Sequence, residues 1–133
     1  MTFKYNKHYY PPAATLEFYL AVPDEAPQIG PLEALIDTGS DSTLIPEHYL
    51  KSLHLEEVGS ARLSGIVDGY REVSLYEVDV LIASFRFPGV IVAGEDMRNE
   101  IIFGRNLLNK LILLLDGHKG ETDLFETRSK IRP

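Results

Sequence analysis

Cysteine is absent from the 133-residue chain, which excludes disulfides and thiolate nucleophiles and leaves nothing that requires an oxidising compartment. Long apolar runs are missing too. The longest aliphatic run, residues 111–115, falls far short of bilayer thickness. Pro11, Pro12 and Pro23, with charges between them, leave no apolar core for a signal peptide. These absences predict a soluble, cytoplasmic protein without a membrane partner. Positive charge is scarce: 13 Lys plus Arg stand against 20 Asp plus Glu, a formal net charge of −7. Such a surface repels polyanions, so nucleic acid is not an expected partner.

Several chemistries lack their residues. His8, His48, His54 and His118 show no metal-ligand spacing, and without cysteine a zinc site would need scattered carboxylates. No metal or other cofactor is expected. Ser40 and Ser42 are not set in a Gly-x-Ser-x-Gly elbow, which argues against a serine hydrolase. Neither Gly-x-Gly-x-x-Gly nor Gly-x-x-x-x-Gly-Lys occurs, so no loop is built to cradle phosphates.

What remains reads as one domain over residues 1–133, with a core at about 14–125 and a loose polar tail at 126–133. Residues 15–22 and 32–36 are rich in strand formers, and residues 46–53 place a proline at the start of two helical turns. Residues 61–81 have the pattern of a long hairpin with its tip at 65–70. Further strands are predicted at 85–92, at 111–115 as a buried strand, and at 122–125. Many short strands with one or two short helices predict an all-β fold, a small closed barrel. There is no internal repeat, low-complexity segment or linker.

Residues 34–44, Ala-Leu-Ile-Asp-Thr-Gly-Ser-Asp-Ser-Thr-Leu, carry an apolar run into Asp37 and then a tight polar turn. A carboxyl at such a corner, among apolar neighbours and backbone N–H donors, is open to pKa tuning for proton transfer. Taken alone, Asp37-Thr38-Gly39 is also an ordinary turn. A second signature lies downstream: Ile102-Phe103-Gly104-Arg105, an apolar strand ending in Gly-Arg, followed by Leu107-Leu108 in a helical turn. Together, in this order and spacing, the two resemble the retroviral-type, single-lobe aspartic proteases over most of the chain.

The resemblance implies an acid-protease barrel with one lobe per chain and aspartic endopeptidase activity on a polypeptide substrate. One chain supplies one Asp-Thr-Gly, so the catalytic pair would be two Asp37 carboxylates across a homodimer. Thr38 would brace the partner's loop, and Gly39 would let the chain approach the substrate backbone. Asp41 would pair with Arg105 and contact substrate. Gly65, Ile66 and Val67 would sit in a flap closing over the substrate. Ser40, Gly104 and Arg105 would support the site, with the Ser40 hydroxyl donating toward the Asp37 carboxylates. The rival reading on the same fold is a dimerisation or peptide-binding module with little or no catalysis.

Overall fold

The computed structural model describes residues 1–65, 69–96 and 98–127. Strand β1 is Thr2–Lys4, β2 is Thr15–Ala21, β3 is Ile29–Ile36 and β4 is Thr43–Ile45. Helix α1, Glu47–Ser52, follows directly. Next come β5 (Gly59–Gly65), β6 (Gly69–Ile82), β7 (Phe85–Gly94) and β8 (Ile102–Phe103). Helix α2 is Arg105–Leu108, and the chain returns through β9 (Ile112–Asp116) and β10 (Glu121–Phe125).

Alternation sets the sheet faces. In β2, Leu16, Phe18 and Leu20 are fully buried while Glu17 and Tyr19 face outward, the period of two expected of a strand with one buried face. In the long β6, Tyr76, Val78, Val80 and Ile82 form one buried apolar face, while the opposite face carries the exposed Glu77 and the buried Asp79. The larger sheet runs β2-β3-β8-β4-β7-β6-β5, and an added β2–β6 pairing closes six of those strands into a ring. The predicted closed all-β barrel is therefore present. Closure leaves β5, which pairs with β6 alone among the described residues, as the open edge of this sheet. Phe18 and Phe103 meet inside it with ring centroids 4.7 Å apart.

The short helix begins one residue after Pro46, which occupies the cap position with φ −52°. The Asp96 carboxylate accepts the Glu47 N–H at 2.8 Å, satisfying one donor that the first helical turn leaves free. Leu50 is the helix's fully buried side chain.

A second, three-stranded sheet has the order β1-β10-β9, all antiparallel. Strand β1 was not foreseen; its register pairs Phe3 with Thr122. The Met1 amine donates to the Leu124 carbonyl at 3.2 Å and the Leu124 N–H donates to the Met1 carbonyl at 2.8 Å. The strand expected to be buried at 111–115 needs correction. It spans Ile112–Asp116 as an outer strand, with Leu114 and Leu115 43% and 48% exposed, because only β10 flanks it among the described residues. Of the tail predicted to be loose, residues 128–133 lie outside the described residues. Among the described residues no helix is long and apolar enough to cross a membrane.

Candidate active site

Strand β3 delivers Asp37. The N–H groups of Leu35 and Asp37 donate toward β8, to the carbonyls of Ile101 (2.9 Å) and Phe103 (3.1 Å), while the Ile36 N–H donates to Ala14 on the other side (3.1 Å). The strand end is held from both flanks up to Asp37 itself. The chain then turns: the Ser40 N–H donates to the Asp37 carbonyl at 3.2 Å, and the Gly39 N–H donates to Asp37 Oδ1 at 2.9 Å. This fixes one carboxylate oxygen against the backbone. Asp37 is half-buried, whereas Thr38 and Gly39 are exposed beside it.

Gly104 locks this loop to the C-terminal signature. A Cβ built there would lie 2.1 Å from the Ser42 carbonyl oxygen and 2.9 Å from that of Ser40, so no side chain fits. Immediately after it, the Arg105 N–H donates to the Ser40 carbonyl at 2.8 Å and the Arg105 guanidinium, through Nη1, donates to the Thr38 carbonyl at 2.7 Å. Arg105 thus grips the Asp37 loop twice.

Two expectations are corrected here. Arg105 is not within ion-pair distance of Asp41, although both are described. The exposed Asp41 carboxylate accepts the Ser42 hydroxyl at 3.2 Å, and an ion pair at the surface gains little, while the guanidinium donates to the Thr38 carbonyl instead. The Ser40 hydroxyl donates to the Ser42 carbonyl at 2.7 Å, not to Asp37. A hydroxyl has a single proton, so that bond commits it to stapling its own loop.

Two supporting residues escaped the sequence reading. Thr43, fully buried, accepts the Gly104 N–H at 3.2 Å and donates to Asn106 Oδ1 at 2.7 Å. Asn106 in turn donates through Nδ2 to the Ile91 carbonyl at 2.8 Å, tying α2 to β7. Asn106 stands directly after Gly104-Arg105, and that adjacency was the available signal.

The predicted hairpin is formed by β5 and β6, in register from Gly59↔Leu75 to Gly65↔Gly69. Gly65 ends the described part of β5; Ile66 and Val67, the other expected flap residues, lie outside the described residues. Arg71, on the β6 arm, forms an ion pair with Glu95, which is 4% exposed and follows β7. This pins the hairpin arm to the barrel.

Two surface clefts accompany these elements. One, of about 310 Å³, includes Tyr9, Glu33 and Glu100; the other, of about 320 Å³, includes Glu47, Arg71 and Glu95. Asp37 lines neither. In the first, burial and then the Glu100 carboxylate, which accepts the Tyr9 hydroxyl at 2.6 Å, push the Tyr9 phenol up to about 12. In the second region, burial and then Glu47 do the same to Tyr76, also to about 12. Both phenols stay neutral hydrogen-bond donors across the working pH range. Among the described residues no group of three or more His, Asp or Glu side chains is placed to hold a metal ion.

The fold recurs among solved structures. A retropepsin-like aspartic protease from Rickettsia conorii superposes with a TM-score of 0.64 at 13% identity, over 93% of this chain and 88% of that one. The simian foamy virus (mac) protease gives 0.52 at 16% identity, over 72% of this chain and 92% of that one. Identities this low speak to the fold alone. Compared by sequence with curated proteins, the chain matches none. The model of one family, described as retroviral aspartyl protease, matches residues 19–116, a stretch that holds both Asp37-Thr38-Gly39 and Gly104-Arg105. By that match over well more than half its length, the chain belongs to the retroviral aspartyl protease family.

Proposed function

We propose that the chain is an aspartic endopeptidase that works as a homodimer, with Asp37 of each protomer forming the catalytic pair. One observation carries this reading: Asp37 stands at the end of β3 with one carboxylate oxygen bonded to the Gly39 N–H, beside an exposed Thr38-Gly39 edge. A single carboxyl so placed is half of a general acid–base pair, and a two-fold axis beside it supplies the other half.

Two carboxylates brought together cannot both ionise, so the pair shares a proton and titrates as a unit. The ionised member takes a proton from a water, whose oxygen bonds to the scissile carbonyl carbon, while the protonated member gives its proton to the carbonyl oxygen. Collapse breaks the C–N bond: the amine leaves with the proton of the protonated member while the ionised member takes one from a hydroxyl of the diol, which restores the singly protonated pair. No cofactor enters these steps. Thr38 braces the opposing loop, Gly39 and Asp41 face the substrate backbone, and the hairpin tip with Gly65, Ile66 and Val67 covers an extended polypeptide bound by strand addition. Ser40, Gly104 and Arg105 hold the loop in shape.

The test is Asp37→Asn. Cleavage of a denatured protein or peptide library is expected to disappear while the circular dichroism spectrum and sedimentation behaviour stay those of the native chain. Undiminished cleavage by the variant would overturn the mechanism. Specific activity of the native protein is also expected to fall on dilution, since the site needs two chains.

A further inference from the structure

We propose that the cleft of about 310 Å³ beside Tyr9 is a docking site for an arginine side chain of a partner polypeptide, separate from the Asp37 loop. It is bounded by the start of β3, the first turn of α1, the segment before β8 and the loop between β1 and β2. Asp37 stands five residues beyond Leu32 along the extended β3, a path of about 17 Å. The cleft has this role whether or not the chain cuts peptides.

Two carboxylates give the cleft its charge. Glu33 accepts the Asn6 side-chain amide through Oε1, and Glu100 accepts the Tyr9 hydroxyl through Oε2 at 2.6 Å. Both donors are neutral, the phenol because burial and Glu100 raise its pKa to about 12. These bonds orient the carboxylates and leave their charge in place. Elsewhere the chain supplies its own cations: Glu47 pairs with Lys51, Glu95 with Arg71 and Asp79 with Arg86. Neither Glu33 nor Glu100 has an ion pair among the described residues, although the exposed Arg98 stands two residues before Glu100. Glu17 is moreover directly opposite Glu33 in the β2–β3 register. Like charges facing each other destabilise a sheet, so the fold gains when a cation enters here.

The walls select among cations. Tyr9 and Tyr49 supply aromatic rings, and Pro31 and Pro46 supply apolar edges. A guanidinium is planar, stacks on aromatic faces, presents a fork to carboxylates and is more weakly hydrated than an ammonium. Its methylene stem covers apolar wall. The volume lies at the lower end for ligand sites, which suits one long side chain rather than a cofactor. A protein of net charge −7 also draws basic segments toward itself from a distance.

The test compares a fluorescent Gly-Ser-Arg-Ser-Gly peptide with the same peptide carrying citrulline, which keeps the shape of arginine and loses its charge. By fluorescence anisotropy at low ionic strength the arginine peptide is expected to bind, the citrulline peptide to bind at least tenfold more weakly, and added salt to weaken the first. Glu33→Gln and Glu100→Gln are each expected to weaken binding at least threefold with unchanged circular dichroism spectra. Glu77→Gln, which removes one exposed charge on β6, is expected to leave it as it was. In nuclear magnetic resonance titrations the amides of Leu32, Asn99 and Ile101 should shift. Equal binding of the two peptides, indifference to both glutamate substitutions, shifts confined to the Asp37 loop, or no binding at millimolar peptide overturns the proposal.

Discussion

Replacing Gly104 with alanine would set a methyl carbon 2.1 Å from the Ser42 carbonyl oxygen, 2.5 Å from the Ser42 carbonyl carbon and 2.9 Å from the Ser40 carbonyl oxygen. All three are backbone atoms, so no side chain can swing aside to relieve the contact. Forcing a carbon into a packed site costs about 1–3 kcal/mol. The movement that relieves it must separate Gly104 from the 40–43 segment, and with it stretch the bonds from the Arg105 N–H to Ser40 and from the Gly104 N–H to Thr43, each worth about 1 kcal/mol. The expected loss is therefore about 3–5 kcal/mol, a fall in melting temperature on the order of 10–20 °C for a domain of this size. Thermal unfolding at one fixed protein concentration measures it, which holds constant the contribution any self-association would make. Gly59→Ala is the matched control: its new methyl would find nothing nearer than Leu75 Cδ1 at 3.8 Å, an ordinary contact, and its melting temperature should stay near the native one. A Gly104→Ala protein melting within about 2 °C of the native chain would refute the argument that Gly104 is fixed by backbone approach.

Arg105→Lys replaces a planar fork by a point charge and should lower the cleavage rate about tenfold with a native-like melting temperature; an unchanged rate would mean that the grip on the Thr38 carbonyl is dispensable. Ser40→Ala should leave the pH–rate profile where it is, because the hydroxyl is committed to the Ser42 carbonyl; a displaced profile would show that it reaches Asp37 in the working enzyme. Asp79 is fully buried; burial raises its pKa, but the N–H groups of Asp24 and Gly89 and the Arg86 guanidinium outweigh that and hold it below the usual value. A depressed folded-state pKa contributes stability that is complete above the unfolded value of about 3.9 and is lost as pH falls through the folded one. Asp79→Asn should thus cost about 3 kcal/mol or more at pH 7 and flatten the decline of urea midpoint below pH 5; parallel declines in the two proteins would contradict this.

How far the sequence could be read depended on the distance over which each feature is decided. Asp37 at a strand end and Gly104-Arg105 before a helical turn are local patterns, and each lies where its own neighbours dictate. The strand formers of residues 15–22 and the hairpin pattern of residues 61–81 are likewise local, and strands β2, β5 and β6 stand there. Strand β1 was invisible because Thr2–Lys4 is a strand only by pairing with β10, at the other end of the chain. The exposure of Leu114 and Leu115 was misread for a related reason: composition reports that a strand is apolar, while its place at the edge of a sheet is set by the other strands. The partner chosen by Arg105 depended on which of two acceptors came within hydrogen-bond reach once the loop had turned. The same applies to Thr43 and Asn106, whose mutual bond joins residues 63 apart in sequence.

The pairing of β1 with β10 also bears on the order in which the chain assembles. Phe3 and Thr122 are 119 residues apart, whereas Glu17 and Glu33, paired between β2 and β3, are 16 apart. Closing the longer loop from an open coil costs more by (3/2)RT ln(119/16), about 1.8 kcal/mol. Once the barrel has formed, most of that chain is already compact and the difference vanishes. The smaller sheet is therefore expected to zip last in refolding and to open first in native-state hydrogen exchange, at the Leu124 amide before those of β6.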